Sequence, residues 1–259
     1  DWRWPFLRIA DFLKAADLTF ANLENPVSNR GSRVGSIYSF RANPRTLAGL
    51  TYAGGDVGSV ANNHIWDYGR QAFLDTLTHL QENQIDAVGA GLDYTQTHAG
   101  VIKTVGDTKI GYLAYTNLLP QNLAAQVDSA GVSYLVVDTM IQDIQAMRPL
   151  VDILVTSFHM GDEYHTTHNV EQEKVFHQAI DSGADLVIGH HPHVVEEVEK
   201  YRGGYIAYSL GNFIFDQNFS KETMSGLAFK AYIKNKKLDH VEEIPISISS
   251  QSQAFLEKN

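Results

Sequence analysis

The sequence predicts an α/β fold with mixed sheet content, and three observations support this class. Short apolar segments alternate with amphipathic helices over the first two-thirds of the 259 residues, as in proteins that build a sheet from strand–helix units. Hairpin patterns follow later in the chain and add antiparallel strands. No stretch rich in Pro, Gly and Ser divides the sequence, so we expect a single domain over residues 1–259.

Each element follows from a local pattern. Apolar positions at helical spacing predict helices over residues 7–16, 43–54, 70–83, 139–147 and 170–182. Apolar runs closed by turn residues predict strands over residues 18–24, 56–61, 85–91, 151–159 and 184–188. Hairpins are expected over residues 101–115, 196–213 and 227–248, with turns at Gly106–Asp107, at Gly203–Gly204 and near residues 235–237.

The composition narrows the functional classes. The hydrophobic fraction of 44% is ordinary for a soluble globular protein, and no apolar run approaches the roughly 18 residues that suggest a transmembrane helix. A formal net charge of −10, from 20 basic and 30 acidic residues, argues against nucleic acid or an anionic membrane as the main partner. An anionic substrate would then need local positive charge, which a metal ion supplies. The absence of cysteine excludes disulfides and thiolate metal sites, and it fits an extracytoplasmic or a cytosolic protein alike.

A histidine-rich stretch follows one predicted strand. The segment "GADLVIGHHPHVVEEVE" runs from Gly183 to Glu199 and places His190, His191 and His193 directly after an apolar run. A lone histidine there would be an ordinary loop or capping residue, but three imidazoles at a buried strand end need partners. Neutral imidazole is the commonest protein ligand for zinc, manganese and iron. Because alternate residues of an extended backbone face one side, we expect the rings of His191 and His193 to converge on one cation.

Other predicted strands end in the same kind of residue. Ligands of open α/β sheets bind outside the carboxyl ends of the strands. Asn, Asp and Gly are also turn formers, but turns do not require histidine, and 6 of the 11 histidines follow such strands. These strand ends therefore predict a ligand site. The polar residues in question are Asn22, Glu24 and Asn25; Asn62, Asn63, His64 and Asp67; His159, Asp162, Glu163 and Tyr164; and Ser209, Asn212 and Asp216.

The residue types narrow the ligand to a metal ion. Histidine, asparagine and carboxylate side chains without cysteine suit zinc, manganese, iron or nickel better than calcium or a structural zinc. Ligands spread over many strands are typical of a catalytic dinuclear site. The other histidines and acidic residues are not predicted as ligands. We interpret His79, His98, His177 and His240 as structural or surface residues, and His165 and His168 as cleft-lining or solvated. Glu196, Glu197 and Glu199 are expected to form the solvated face of a hairpin.

Five ordered motifs resemble those of a known family. They are "DLTFANLENPV", "VANNHIWDYG", "SFHMGDEY", "GADLVIGHHPHVVEEVE" and "IAYSLGNFIFD", and they extend from about Leu18 to Asp216. In that order they resemble the motifs of the bacterial capsule synthesis family, the CapA or PgsA-type poly-γ-glutamate biosynthesis proteins. This family is similar to the calcineurin-like metallophosphoesterases. The resemblance implies a four-layer αββα sandwich with two mixed β-sheets, helices outside, and metal ions at the carboxyl ends of the strands.

The resemblance also implies a set of site residues. One or two divalent ions (Mn, Zn or Fe) would be bound. His190 is a reserve candidate for a ligand, next to the His-x-His pair formed by His191 and His193. His64 would be the general acid or a phosphate contact, and Asp67 would orient it. The implied metal ligands are Glu24, Asn63, His159, His191 and His193.

Two positions depart from the family pattern. The opening strand of the family ends in a Gly-Asp that carries the first ligand, and this element would have to precede Asp1. Met160 stands where the family often has tryptophan after the single histidine, which we expect to change the wall of the cleft and leave the ligand His159 unaffected.

The resemblance implies two alternative functions. In the first, the protein is a metal-dependent hydrolase, and its substrate is a phosphoester or an acyl or amide bond of an anionic polymer such as poly-γ-glutamate. In the second, it is a non-catalytic accessory protein that binds the polymer or a membrane polymer synthase. Either function implies an extracytoplasmic location at the cell surface, with an N-terminal anchor expected ahead of Asp1.

Overall fold

A computed structural model describes residues 1–35 and 37–257 of the chain. The strands, in chain order, are β1 (Phe20–Asn22), β2 (Val57–Ser59), β3 (Asp86–Val88), β4 (Ala90–Gly91), β5 (Val101–Val105), β6 (Thr108–Thr116), β7 (Gly131–Val132), β8 (Ile153–His159), β9 (Leu186–His190), β10 (Val198–Tyr201), β11 (Gly204–Ala207), β12 (Ser225–Lys234), β13 (Lys237–Ile248) and β14 (Ala254–Leu256).

The α-helices are α1 (Ala10–Lys14), α2 (Leu47–Ala53), α3 (Gly69–Glu82), α4 (Tyr94–His98), α5 (Val137–Met147) and α6 (Val170–Ser182). Short 3-10 turns cover Trp4–Phe6, Pro44–Thr46, Gln121–Leu123 and Arg148–Leu150. Within the described residues, no helix combines the length and the apolar character that crossing a membrane requires.

The described chain forms two compact units. The first unit comprises Asp1–His98 and Ala114–Tyr134, and the second comprises Ala99–Leu113 and Leu135–Asn259. The single domain predicted from the sequence stays a prediction. The α/β class is confirmed, because helices and several sheets alternate along the chain.

The first unit contains a parallel sheet with the strand order β1-β2-β3. Its register pairs Asn22 with Ser59 and Ser59 with Val88, so the three strands end at one level. The core of this unit includes Trp66 and Phe73, whose rings stack at a centroid distance of 4.5 Å. Both residues are nearly excluded from solvent. Helix α3 therefore packs on the core of this unit through the apolar face that its sequence pattern predicted.

The second unit contains a six-stranded mixed sheet with the order β10-β11-β9-β8-β6-β5. Strands β8, β9 and β11 run parallel, whereas the β5–β6 and β10–β11 hairpins are antiparallel. A separate antiparallel sheet has the order β12-β13-β14. Phe158 of β8 stacks on Phe176 of α6 at 4.9 Å, so this helix covers one face of the mixed sheet.

Helix α6 begins and ends where its sequence signals lie. The Asn169 side chain accepts a hydrogen bond from the Gln172 backbone N–H, and the Gln172 side chain accepts one from the Asn169 N–H. This capping box satisfies two backbone donors that the first helical turn leaves unpaired. Gly183 follows the last turn with a φ of +124°. The predicted bounds, residues 170–182, are confirmed.

Several predicted elements have different bounds in the structure, and two of these differences have a local cause. The helix expected over residues 7–16 is limited to Ala10–Lys14, because Pro5 starts a 3-10 turn ahead of it. The strand expected over residues 184–188 starts later and continues to His190. Gly189 permits this extension, since a Cβ atom there would lie 1.9 Å from the Tyr208 carbonyl oxygen. The three predicted hairpins are confirmed.

Candidate functional site

Two neighbouring strands of the second unit end in histidine. Strands β8 and β9 run parallel in a register that pairs His159 with His190. Both side chains are buried, with 1% and 8% of their surface exposed. The next residue along β8, Met160, is also buried and donates its backbone N–H to the His190 carbonyl oxygen. Parallel strands present their carboxyl ends at the same edge, so this edge carries both imidazoles.

His191 and His193 complete a group of three histidines with His159. The ring centroids of His159 and His191 are 5.1 Å apart, and those of His191 and His193 are 5.9 Å apart. Ring nitrogens of His191 and His193 come within 4.8 Å of one another. We refer to His159, His191 and His193 as the histidine edge. The structure therefore brings together the three histidines that the sequence predicted as ligands.

The backbone explanation for this convergence was wrong. We expected an extended His-x-His segment, but φ is +104° at His191 and +60° at His193. Side chains other than glycine rarely adopt positive φ, and each such residue costs about 1–3 kcal/mol. A tight turn after β9, rather than alternation along a strand, brings the two rings to the same place. Left-handed residues of this kind cluster at functional sites.

Asn212 fixes the orientation of His193. The Asn212 Oδ1 atom lies 2.9 Å from His193 Nδ1, and both side chains are buried. An amide oxygen can only accept, so Nδ1 carries the proton and Nε2 keeps its lone pair. The Asn212 amide is itself held, since its Nδ2 donates to the Thr223 carbonyl oxygen at 3.0 Å and to Gln217 Oε1 at 3.2 Å. Such outer partners orient ligating histidines in metal sites.

His190, the reserve candidate, has a different environment from the histidine edge. It is the last residue of β9, and its burial lowers its pKa to about 4. The imidazole is therefore neutral at physiological pH, because desolvation penalises the charged form.

The histidine edge fits a divalent metal ion. Neutral imidazole suits zinc, manganese and iron. Two ligand nitrogens that each lie about 2.1 Å from one zinc ion are at most about 4.2 Å apart, close to the 4.8 Å limit found for His191 and His193. The donor chemistry and the fixed tautomer of His193 thus agree with the metal that the sequence implied. The group lies at the end of parallel strands, where α/β folds bind ligands.

The first unit carries a second cluster of predicted residues, organised by Asn62. This side chain is fully buried, and its Nδ2 donates to Asn22 Oδ1 at 3.2 Å and to the Leu23 carbonyl oxygen at 2.9 Å. Its Oδ1 accepts the backbone N–H of His64 at 3.2 Å. Asn62 therefore joins the ends of β1 and β2 and positions the segment that carries the predicted residues.

His64 and Asp67 form a hydrogen-bonded pair. The His64 Nδ1 atom lies 2.8 Å from Asp67 Oδ2, and the Phe40 backbone N–H donates to the same oxygen at 2.7 Å. Both side chains are buried. The Phe40 ring meets the His64 imidazole edge-on at 4.5 Å. A carboxylate at Nδ1 holds the proton on that nitrogen, so Nε2 is the atom of His64 that can exchange a proton. The catalytic roles of both residues stay predictions.

The loop that supplies Phe40 is anchored by a buried carboxylate. Asp75 of α3 accepts hydrogen bonds from the Ser28 hydroxyl and from the Arg30 guanidinium. The Arg30 hydrogen bond is the main reason that the pKa of Asp75 is lowered to about 2. The loop is thus tied to the helix at its start and to Asp67 near its end.

Glu24 and Asn63 lie in the first unit beside this cluster. Glu24 is half-buried and accepts a hydrogen bond from Asn22 Nδ2 at 3.0 Å, two residues after β1 ends. Asn63 is half-buried between Asn62 and His64. The structure therefore groups the predicted residues as the histidine edge in the second unit and as a strand-end cluster in the first. A single metal site that uses both groups stays a prediction.

The acidic segment after the histidines was misread. We expected Glu196 to be solvated, but only 4% of its surface is exposed, and burial raises its pKa to about 7. Its Oε2 accepts a hydrogen bond from Gln172 Nε2 at 2.7 Å. No local sequence signal marks this burial, because the partner Gln172 lies 24 residues away.

The two glutamates that follow Glu196 pair with histidines. The Oε2 atom of Glu197 lies 3.1 Å from His168 Nδ1, and the Oε2 atom of Glu199 lies 2.8 Å from His177 Nε2. The Tyr208 hydroxyl donates to Glu199 at 2.8 Å, and its ring stacks on His168 at 3.8 Å. His168 and His177 are therefore structural partners of a hairpin, as expected for His177 and left open for His168.

Comparison with known proteins identifies relatives over most of the chain. The sequence profile described as "Bacterial capsule synthesis protein PGA_cap" matches residues 1–217. The PGA biosynthesis protein CapA of Bacillus subtilis is 31% identical over 98% of this chain and 67% of its own length. The capsule biosynthesis protein CapA of Bacillus anthracis is 29% identical over 96% of this chain and 62% of its own length. A Mycobacterium tuberculosis protein named as a polyglutamine synthesis accessory protein is 30% identical over 83% of this chain and 60% of its own length. The chain thus spans about two-thirds or less of these curated relatives.

Solved structures share the fold at low sequence identity. A hypothetical protein from Thermus thermophilus superposes with a TM-score of 0.62 at 17% identity, covering 94% of this chain and 93% of its own. A Staphylococcus aureus protein described as a 5'-nucleotidase superposes with a TM-score of 0.52 at 15% identity, covering 94% of this chain and 45% of its own. These likenesses confirm the predicted metallophosphoesterase-like fold class.

Proposed function

The chain belongs to the bacterial capsule synthesis protein family PGA_cap, and on that premise we propose that it is a metal-dependent hydrolase of an anionic substrate. The observation that carries this proposal is the histidine edge, in which three imidazole rings converge and Asn212 holds His193 with its proton on Nδ1. The histidine edge gathers three imidazoles where β8 and β9 end, at the carboxyl edge of the sheet.

The metal ligands of the proposal are the residues of the histidine edge. His159, His191 and His193 would hold a divalent ion (Mn, Zn or Fe). When bound, such an ion supplies Lewis acidity toward an anionic oxygen and charge neutralisation that this acidic chain otherwise lacks. The histidines contribute rigidity, because two are nearly inaccessible to solvent and one is fixed through its ring N–H.

His64 is the proton donor of the proposal. In hydrolysis, a water oxygen bonds to the phosphorus or carbonyl carbon, and the bond to the leaving oxygen or nitrogen breaks. The leaving atom then needs a proton, which the imidazolium form of His64 would deliver from Nε2 while its Nδ1–H stays hydrogen-bonded to the Asp67 carboxylate. The proton that the attacking water loses passes to solvent, from which His64 Nε2 regains one. Phe40 completes this arrangement by donating its backbone N–H to the same carboxylate oxygen.

The biological setting of the proposal follows the relatives. Two of them are named for capsule or PGA biosynthesis, so we propose that this chain acts in capsule or poly-γ-glutamate synthesis. Its substrate would be a phosphoester or an acyl or amide bond in an anionic molecule. A membrane polymer synthase is the proposed partner, and the extracytoplasmic face of the membrane is the proposed location.

Metal content and turnover, measured together, test the proposal. The protein is stripped with EDTA, loaded in turn with Mn²⁺, Zn²⁺ or Fe²⁺, and assayed with phosphomonoesters, phosphodiesters and poly-γ-glutamate. We expect one or two bound ions per chain and hydrolysis of at least one substrate that depends on the ion. His240→Ala, which changes an exposed histidine of β13, should match the parent in both measurements.

An accessory function is the second candidate. The name of the Mycobacterium tuberculosis relative favours it, because that protein is named as an accessory protein of synthesis rather than as an enzyme. This function predicts polymer binding that EDTA does not change, with no turnover under any metal. That outcome would replace the hydrolase proposal.

A further inference from the structure

Two exposed aromatic side chains lie beside the histidine edge in the second unit. Tyr164 exposes 44% of its surface, and Phe219 exposes 64%. Their rings meet almost at a right angle, 79°, with centroids 5.2 Å apart. The Tyr164 ring also stacks loosely on the His193 imidazole at 6.1 Å. We call Tyr164 and Phe219 the aromatic corner.

The aromatic corner is fixed to the histidine edge through hydrogen bonds. Gln217 Nε2 donates to the Tyr164 hydroxyl at 3.2 Å, and Gln217 Oε1 accepts from Asn212 Nδ2 at 3.2 Å. Asn212 is the residue that orients His193. The Tyr164 backbone N–H donates to the Pro192 carbonyl oxygen at 2.8 Å. Tyr164 is therefore held at its backbone and at its hydroxyl, next to the residues that would hold the metal.

Tyr164 also has a strained backbone. Its φ is +65°, which side chains other than glycine rarely adopt. The surrounding hydrogen bonds maintain this conformation and leave the ring exposed. Exposing two large apolar rings costs hydrophobic stabilisation, so an exposed and rigid pair beside a site is characteristic of a surface for a ligand.

A cavity adjoins the segments that carry the aromatic corner. It measures about 230 Å³ and is lined by Thr166, Val194, Val195, Lys221, Glu222 and Ser225. Thr166 lies two residues from Tyr164, Lys221 lies two residues from Phe219, and Val194 directly follows His193. The lining thus comes from the segments that carry the aromatic corner and from the residues that follow His193.

The charges near the aromatic corner indicate which kind of chemical group could bind there. Residues 162–168 and 215–223 together contain four carboxylates, on Asp162, Glu163, Asp216 and Glu222, against one cation, on Lys221. A polyanion such as poly-γ-glutamate would be repelled there. An ammonium group gains only about 0.5–1 kcal/mol from an aromatic ring at an exposed site, whereas stacking of a base on an aromatic ring is worth about 1–3 kcal/mol. The open corner thus favours stacking.

We propose that the aromatic corner binds a planar, uncharged ring of the substrate, such as a nucleobase or another aromatic group, beside the bond that is hydrolysed. This inference rests on the proposed function for the position of that bond. It assigns the substrate to the class of anionic esters that carry an aromatic or heteroaromatic group. Tyr164 and Phe219 would be specificity-determining residues.

Ligand-observed NMR titrations test the inference without turnover. The probes are adenosine, ribose and choline, each added to EDTA-treated and to Mn²⁺-loaded protein. We expect adenosine to bind both forms and ribose and choline to bind at least about fivefold more weakly, since a stacking energy of about 1–3 kcal/mol corresponds to roughly fivefold or more.

Variants locate the binding to the aromatic corner. Tyr164→Leu and Phe219→Leu should each weaken adenosine binding at least about fivefold, whereas Tyr164→Phe, which keeps the ring, should stay within about twofold. Tyr94→Leu is the matched control, because Tyr94 is an exposed tyrosine stacked on His98 in the first unit. Thermal midpoints of all variants verify that each is folded.

The outcomes separate this inference from the proposed function. Absence of adenosine binding, equal binding of ribose, binding of choline alone, or binding that is unchanged in both leucine variants would each overturn the inference. Adenosine binding by the aromatic corner in a protein that neither binds metal nor hydrolyses esters would overturn only the proposed function. Metal-dependent turnover with equal preference for alkyl and aryl esters would overturn only the inference.

Discussion

The Oδ1 atom of Asn212 lies 2.9 Å from the Nδ1 atom of His193, and this contact determines which ring nitrogen of the histidine carries the proton. The amide is itself oriented by the Thr223 carbonyl oxygen and by Gln217. It is thus unable to turn its NH₂ group toward His193 without losing two hydrogen bonds. Asn212 is a positioning residue, and we expect its removal to lower the affinity of the site for the metal.

Asn212→Ala should reduce metal affinity by about 10–100-fold, as loss of an outer partner of a ligating histidine commonly does. Asn212→Asp keeps an acceptor oxygen at the same place and should retain most of the affinity. Isothermal titration of EDTA-treated protein with Mn²⁺ measures both. Equal affinities in the parent and in Asn212→Ala would contradict the positioning role.

His191→Ala should release metal from a protein that remains folded. His191 is only half-buried, and its backbone strain is independent of the imidazole. His191→Gly should also lose metal but should be more stable than His191→Ala by about 1 kcal/mol, because glycine adopts a φ of +104° without strain.

Metal analysis and thermal unfolding of the two variants provide the measurement. A histidine with a purely structural role would give the opposite result: its truncation would leave the metal content unchanged and would cost about 1–3 kcal/mol from partners left unsatisfied.

Asp67→Asn should lower turnover by about tenfold or more while metal content stays at the parent level. The amide oxygen can still accept from His64 Nδ1 and the Phe40 N–H, but it carries no negative charge, and a turned amide would present its NH₂ group to Nδ1, so the imidazole loses its fixed tautomer.

The matched control is Asp128→Asn, at an exposed position of the first unit. Loss of rate together with loss of metal or with a lowered thermal midpoint would indicate that Asp67 has only a structural role.

Glu196→Gln should remove a pH dependence of stability. Burial raises the pKa of Glu196 to about 7, above the ordinary 4.5, with added repulsion from Glu197 and Asp162. The folded state therefore holds this proton more tightly than the unfolded state. Its stabilising contribution is complete below about pH 4.5 and is lost as the pH rises toward 7.

We therefore expect the stability of Glu196→Gln relative to the parent to increase between pH 5 and pH 8, by on the order of 1–3 kcal/mol. Urea unfolding at several pH values measures this difference. Glu243→Gln, at an exposed position of β13, is the control and should parallel the parent. A parallel curve for Glu196→Gln as well would show that the buried carboxyl does not titrate in this range.

Local patterns predicted much of this architecture because their causes are local. The helical spacing of apolar residues predicted α6 to the residue, and the apolar run of β8 ended at His159 as expected. The turn at His191 and His193 was not predictable in the same way, because positive φ at a histidine has no signature in sequence. Glu196 was misread for a related reason: its burial depends on Gln172, which lies 24 residues away.

The most direct test of the account is an anomalous difference map from crystals soaked in Mn²⁺. The account predicts a peak within about 2.0–2.4 Å of ring nitrogens of His159, His191 and His193, and loss of that peak in His191→Ala. A map without a peak at the histidine edge, or with manganese bound only elsewhere on the protein, would contradict the metal site on which the proposed hydrolase function depends.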